Sequence, residues 1–350
     1  MKIAVDTKGG DYAPIEIVEG TILASKKHPE MEFVLFGDED KIFDILKCSK
    51  ADLSKFEVVN APEEVVNDES PTMAIKTKKQ SSLVMCFDRL KTDPNICGMI
   101  SAGSTGAILT GSILKIGRVP GVSRPSLAPA VPTETGGRVL LIDSGANMDC
   151  KPINLCHFAV MGSIYMKEML GVENPRVALL NVGTEDKKGN ELTHEVFPLL
   201  SKLDINFVGN MEARDILSGK YDVVVADGFA GNVLLKGLEA TLTTMFQELK
   251  RASSASLISK IGALFMRKPL RAIKKKYNYA AMGGSMFIGA KKLVIKSHGS
   301  SKRETIFACC EQLTRLYQCD INSKIESAIK SINFEETESV WCWKDDWILF

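Results

Sequence analysis

Five short segments of this 350-residue chain share one chemical vocabulary: an apolar run, then glycines mixed with hydroxyl, amide or carboxylate side chains. KIAVD ends in Asp6 and continues into Gly9, Gly10 and Asp11, while CGMIS leads to Gly103, Ser104, Thr105 and Gly106. RVLLID supplies Asp143, Gly145 and Asn147, and YDVVVAD supplies Asp227, Gly228, Gly231 and Asn232. KLVIK is followed by Ser297, His298, Gly299, Ser300 and Ser301. Glycine lets a backbone approach a ligand closely, and the first turn of a helix offers free N–H groups and a positive dipole end. Such turns hold anions, phosphate above all. A tight loop with a Ser/Thr cap explains any one of them; five alike are harder to assign to coincidence.

Spacing narrows the chemistry. No two glycines stand two apart, which removes the dinucleotide fingerprint G-x-G-x-x-G, and there is no G-x-x-x-x-G-K-[ST]. Around Ser101 and Ser104 the glycines fall in the wrong register for a nucleophile elbow. His28, His157, His194 and His298 lie far apart, and no His/Cys/Asp cluster has metal-ligand spacing, so neither a triad nor a metal site is expected. What remains is a site that holds an anion without an obvious protein nucleophile, where the phosphate itself attacks. Lys187 and Lys188 in NVGTEDKKGNEL are candidate cations, or simply solvated loop lysines.

The elements that must position these turns are short β-branched runs alternating with helix-length segments. KIAVD, EFVLFG, FEVVN, CGMIS, RVLLID, RVALLNV, INFVGN, YDVVVAD and KLVIK are the strand candidates. Several are apolar without alternation, the pattern of parallel strands covered on both faces by helices. In such sheets ligands bind beyond the carboxyl ends of the strands, where the five turns fall. Pro14 and Pro152 mark first helical turns, and Pro71 precedes a long amphiphilic stretch from Met73 to Leu90. From Pro152 to Leu170 apolar residues cover most of a helix circumference, as in a core helix or a dimer-interface helix.

The chain is long enough for one large core or two modest ones. A net charge of +1 argues against a nucleic-acid-coating surface. KIAVD reads as a buried strand rather than a leader, and no apolar stretch is long enough to span a membrane. Nine scattered cysteines without C-x-x-C point to a reducing cytoplasm. Two segments break the rhythm. Arg251 to Lys276 contains eight Lys/Arg and no Asp/Glu. Within it Leu257, Ile261, Leu264 and Phe265 share a helical face, and Pro269 separates a second piece carrying Lys274 and Lys275. A basic amphipathic hairpin over about 251–278 is predicted, suited to an anionic membrane surface, to an acidic carrier protein, or to ordinary packing on the core. Beyond about Ser331 an acidic tail, 331–350, ends in VWCWKDDWILF.

Taken together, VDTKGGDYAP, SAGSTGA, IDSGANMDCKP, MGSIYMKEMLGVENPRVALLNVGTEDKKGNEL, DVVVADGFAGNVLLK and VIKSHGSS resemble the phosphate acyltransferases of bacterial glycerolipid synthesis, in the family's order from Ile3 to about Ser301. The resemblance implies a homodimeric, Rossmann-like three-layer α/β/α fold with a mostly parallel sheet, related to phosphotransacetylases and the isopropylmalate-dehydrogenase type, over 1–330. It implies transfer of a long-chain acyl group from acyl-[acyl-carrier-protein] to inorganic phosphate, without a cofactor. The acyl phosphate would feed a membrane glycerol-3-phosphate acyltransferase, from a cytoplasmic, peripherally membrane-associated protein. Its site would fall on Gly103 to Gly106, Asp143, Asn147, Lys188, Asn232 and His298, with Gly9, Gly10, Asp11 and Asp227 on the same rim. Lys188 would orient phosphate or stabilise the thioester oxyanion, Asn232 would donate a second hydrogen bond, and His298 is an acid for the leaving thiol or a structural cap. Lys8 and Ser104 depart from the family pattern, which expects Met and Asn there. Alternatives are a phosphotransacetylase using coenzyme A thioesters, a decarboxylating nicotinamide dehydrogenase, and a membrane-associated scaffold without activity.

Overall fold

All nine apolar runs form strands, and where alternation is missing the cause is physical: Ile3, Ala4 and Val5, on opposite faces of one strand, are all fully buried. The computed structural model describes residues 1–66, 68–277 and 283–332, so the tryptophan-bearing tail and the last residue of the basic stretch lie outside it. The strands are β1 (Lys2–Asp6), β2 (Glu32–Gly37), β3 (Phe56–Asn60), β4 (Ile96–Ser101), β5 (Ser126–Ala128), β6 (Ala130–Pro132), β7 (Arg138–Ile142), β8 (Val177–Asn181), β9 (Phe207–Glu212), β10 (Val223–Val225), β11 (Ser285–Ile288) and β12 (Leu293–Lys296). The helices are α1 (Ile15–Lys27), α2 (Glu39–Cys48), α3 (Pro71–Thr77), α4 (Ser82–Thr92), α5 (Thr105–Gly111), α6 (Pro152–Leu170), α7 (Glu191–Leu200), α8 (Gly228–Ser254), α9 (Leu257–Lys276), α10 (Arg303–Gln318) and α11 (Ile321–Ser331).

The strands divide into two sheets, ordered β3-β2-β1-β4-β12-β11-β5 and β6-β7-β10-β8-β9. The first is parallel through β3, β2, β1, β4 and β12, and β11 runs antiparallel to both its neighbours. In the second only β6 is antiparallel. Helices pack on the sheets in a mixed three-layer α/β arrangement, and the largest core cluster takes side chains from both sheets, such as Ile3, Ile100, Leu140 and Val223.

Three expectations about helices change. The stretch from Met73 to Leu90 is two helices, because Ser81 starts α4 anew, its hydroxyl accepting from the Val84 N–H at 3.4 Å. Pro269 does not divide the basic segment: α9 runs through it, and the Phe265 carbonyl left without a donor lies on an exposed surface open to water. The hairpin turn comes instead at Ala255–Ser256, where Ser256 caps α9 by accepting from the Ser259 N–H at 3.0 Å. Of the two readings of α6, the core helix holds: Leu155, Phe158, Met161 and Tyr165 are buried, with α7, α11 and β10 packed around them.

Candidate active site

The glycine turns meet because aspartates gather them. Asp6, 2% exposed, accepts from the N–H groups of Lys8 and Gly9 at 3.2 and 3.3 Å, from Ser82 Oγ at 2.6 Å and from Ser101 Oγ at 2.7 Å. Ser101 Oγ in turn accepts from the Gly103 N–H at 3.1 Å. One carboxylate thus fixes the turns after β1 and β4 against each other, so closely that a Cβ on Gly9 would sit 2.6 Å from the Gly103 nitrogen. The turn after β12 joins them through the Asp11 N–H, which donates to the Gly299 carbonyl at 2.8 Å.

Across from this group, Asp143 is fully buried and accepts from the N–H groups of Leu127, Ala146 and Asn147 and from Asn147 Nδ2. Burial raises its carboxyl above the ordinary range, against the pull of those donors. Asn147 Nδ2 also donates to the Pro125 carbonyl at 2.8 Å. Both side chains are therefore occupied in shaping the turn, which leaves Ser144 and Gly145 facing the ligand space. Asp227 caps α8, its Oδ1 accepting from the Ala230 N–H at 2.8 Å. A Cβ on Gly231 would lie 1.9 Å from the Asp143 carbonyl oxygen, so only glycine lets α8 approach this turn and lay Asn232 over Gly145.

Between the two sheets runs a cleft of about 480 Å³. Of the residues singled out in sequence, Thr105, Gly106, Gly145, Asn232 and His298 line it. Gly9, Gly10, Asp11, Gly103 and Ser104 lie on the same turns but not in the cleft lining, and the Ser104 hydroxyl makes no capping bond to α5. Lys8 donates to the Pro62 carbonyl at 2.9 Å, away from the cleft. Lys187 and Lys188 are exposed on the loop after β8, on the carboxyl edge of the same sheet as Asn232 but outside the cleft lining.

Sequence reading passed over the cation that does line the cleft. Lys296 closes β12, and burial, helped by nearby Lys236, pushes its ammonium down to about 8. It has no hydrogen-bond or ion-pair partner among the described residues, whereas Lys236 pairs with Glu239 at 3.0 Å. As the last residue of an apolar run it reads as part of a strand, and nothing in the run marks it as functional. His298 Nδ1 receives the Ser300 N–H at 3.2 Å, so in the neutral ring the proton sits on Nε2. Burial and then Lys296 hold this histidine below its usual pKa, which keeps it a neutral hydrogen-bond donor rather than a ready acid. Phosphate can therefore meet hydroxyl and backbone donors at Thr105 and Gly106, an amide at Asn232, and an ammonium at Lys296.

A family model described as "Fatty acid synthesis protein" matches residues 1–324. The chain is 45% identical to a phosphate acyltransferase of Brevibacillus brevis, over 97% of this chain and 100% of that protein. It is 44% identical to one from Thermoanaerobacterium thermosaccharolyticum, covering 95% and 98%. Among solved structures, a phosphotransacetylase from Streptococcus pyogenes matches with a TM-score of 0.56 and 18% identity, covering 95% of this chain and 94% of that one. A branched-chain phosphotransacylase from Enterococcus faecalis gives 0.56 and 14%, covering 91% and 99%. These structural likenesses show a shared fold; identity over nearly the whole length shows more, and the chain belongs to the phosphate acyltransferase family, whose members are acyltransferases.

Proposed function

We propose that this protein transfers a long-chain acyl group from acyl-[acyl-carrier-protein] to inorganic phosphate. A phosphate oxygen attacks the thioester carbonyl, the C–S bond breaks, and the proton of hydrogen phosphate goes to the departing thiolate, giving acyl phosphate and free carrier thiol. The observation behind this reading is the convergence of Thr105, Gly106, Asn232, Lys296 and His298 on one cleft that no cysteine lines. The thioester already has a good leaving group, so bringing two substrates together in a donor-rich cleft supplies much of the acceleration. Thr105, Gly106 and Lys296 hold phosphate, and Asn232 donates to the developing oxyanion. Lys188 is retained as a second candidate cation, which acts only if the 183–190 loop brings it inward.

Phosphate-dependent release of free carrier protein from a long-chain acyl carrier substrate, with hydroxylamine trapping of the product, tests the reaction. A preference for coenzyme A thioesters would favour the phosphotransacetylase reading instead. Lys188→Ala and Asn232→Ala test the assignments, and undiminished product formation removes the residue concerned. The same proposal includes delivery of acyl phosphate to an anionic membrane surface, and thence to a glycerol-3-phosphate acyltransferase, by the hairpin of α8 and α9. On α9 Leu257, Ile261, Leu264 and Phe265 are exposed, Phe265 by 80%, among the lysines and arginines of that helix. No helix among the described residues is long and apolar enough to cross a membrane. Homodimer formation is carried with it and is read by sedimentation of the full chain.

A further inference from the structure

The cleft has a second end. Arg138 opens β7, whereas Ser144 and Gly145 follow its last residue, and all three line the cleft. At about 3.3 Å per residue the length of β7 alone sets these ends roughly 13 Å apart. Beside Arg138 stands Arg315 of α10, near enough that its charge, after burial, opposes that of Arg138. Neither guanidinium has a hydrogen-bond or ion-pair partner among the described residues. The other arginines of the body have partners: Arg89, Arg176, Arg214 and Arg303 are bound by carboxylates, and Arg118 and Arg124 by the Ser123 and Asp149 carbonyls. Glu311 lines the same stretch but is held by Lys27 at 3.0 Å and His28 at 3.1 Å. Two neighbouring cations without a counter-charge are unfavourable in the empty cleft and favourable once an anion joins them.

Between the two ends the wall is mixed: Leu127, Pro129, Ala130 and Met169 supply apolar surface, Gln312 and Ser285 supply polar groups, and Lys236 and Glu239 neutralise each other at 3.0 Å. An occupant that fits is long and thin, reactive at the turn end, uncharged but carrying both hydrogen-bonding and apolar groups along its length, and anionic at the far end. A saturated acyl chain does not fit, since its methyl terminus would rest against two guanidiniums. Free phosphate leaves most of the groove unfilled. A phosphopantetheine arm has the required order of groups: a sulfur at one end, two amides and a branched apolar segment in the middle, a phosphodiester at the other.

We propose that Arg138 and Arg315 form an anion subsite for the phosphodiester of the donor's phosphopantetheine arm, which lies along the cleft and presents its thioester at Asn232. The proposal rests on the acyl-transfer reading and adds how the donor is recognised; phosphopantetheine is common to carrier proteins and coenzyme A. Calorimetric titration of the full-length protein with phosphopantetheine and with pantetheine separates the two readings, because it requires no turnover. The wild type should bind the phosphorylated compound at least about tenfold more tightly. Arg138→Ala/Arg315→Ala should bind both equally and weakly while retaining the thermal midpoint of the wild type. Equal affinities in the wild type, or a preference that survives the double substitution, overturn the subsite. In kinetics the double variant should raise KM for acyl-[acyl-carrier-protein] and acyl-coenzyme A alike and leave KM for inorganic phosphate unchanged. A loss confined to the carrier protein would assign these arginines to its acidic surface instead, and a raised phosphate KM would assign them to the second substrate; either outcome refutes the arm subsite. Phosphopantetheine discrimination without any phosphate-dependent thioester cleavage would refute the acyl-transfer reading and leave the subsite standing.

Discussion

At Lys296 two requirements conflict, since a partly buried ammonium is disfavoured by desolvation yet is the charge an incoming anion needs. The ammonium is charged below about 8 and neutral above, so kcat/KM for phosphate should fall on the alkaline side of that value. Lys296→Arg keeps its charge and should move the fall to higher pH; Lys296→Met should lose activity about 100-fold or more and show no such limb. A Met variant with full activity and an unchanged profile would remove Lys296 from the site. The stability effect has the opposite sign. The folded pKa lies below the ordinary value of 10.5, so between about 8 and 10.5 the unfolded chain binds more protons and folding stability rises with pH. Lys296→Met should lack that rise in urea titrations at several pH values. Gly231→Ala drives a methyl into the Asp143 carbonyl and should cost about 1–3 kcal/mol in the same assay, with a drop in activity as Asn232 moves. Sequence showed the glycines because their chemistry is local. It did not separate Thr105, Asn232 and His298, which face the cleft, from Asp143, Asn147 and Asp227, whose polar atoms serve the backbone, because that distinction is one of direction. Arg138 was hidden because it begins a strand, at the edge opposite the one where ligands are usually sought.

Among the elements, those legible in sequence have their reason in their own residues. Central parallel strands buried on both faces are continuous apolar runs, and the edge strands β3 and β9, though only partly buried, keep enough β-branched and aromatic residues to be visible with them. The missed strands, β5, β6 and β11, are three or four residues long and edge or antiparallel; their conformation comes from partners such as Phe287 opposite Leu127, which no local pattern encodes. The basic hairpin was legible as an amphipathic element, but its turn was sought at Pro269, since a proline signals a break more strongly than the Ser256 cap that makes it. If α9 docks on a bilayer, each of its large apolar side chains contributes about 1.5–3 kcal/mol on burial. Replacing Leu257, Ile261 and Leu264 together by Glu should abolish flotation with anionic liposomes and leave turnover in detergent intact; retained flotation would show that α9 is not the docking element.

Across the whole molecule, the division into two sheets was not visible in sequence, because both sheets contribute the same kind of strand and share one core cluster. It matters for ligand binding: Lys296 and His298 come from the first sheet, Ser144, Gly145 and Asn232 from the second or the helix leaving it. A phosphate bound by both joins them and should stabilise the fold, by about 2.7 kcal/mol at a concentration 100 times its dissociation constant. Scanning calorimetry should show a phosphate-dependent rise in Tm for the wild type and none for Lys296→Met. Helix α8 adds a constraint of another kind. It starts at the cleft with Asn232 near its first turn and runs 27 residues to the hairpin turn, about 40 Å away. An α-helix of that length fixes azimuth as well as distance, so the compass bearing of the apolar tip is keyed to the orientation of the reaction centre. One extra residue in the middle of α8 would rotate the tip by about 100° and displace it by only about 1.5 Å, leaving the chemistry whole but turning the apolar face of α9 to another bearing.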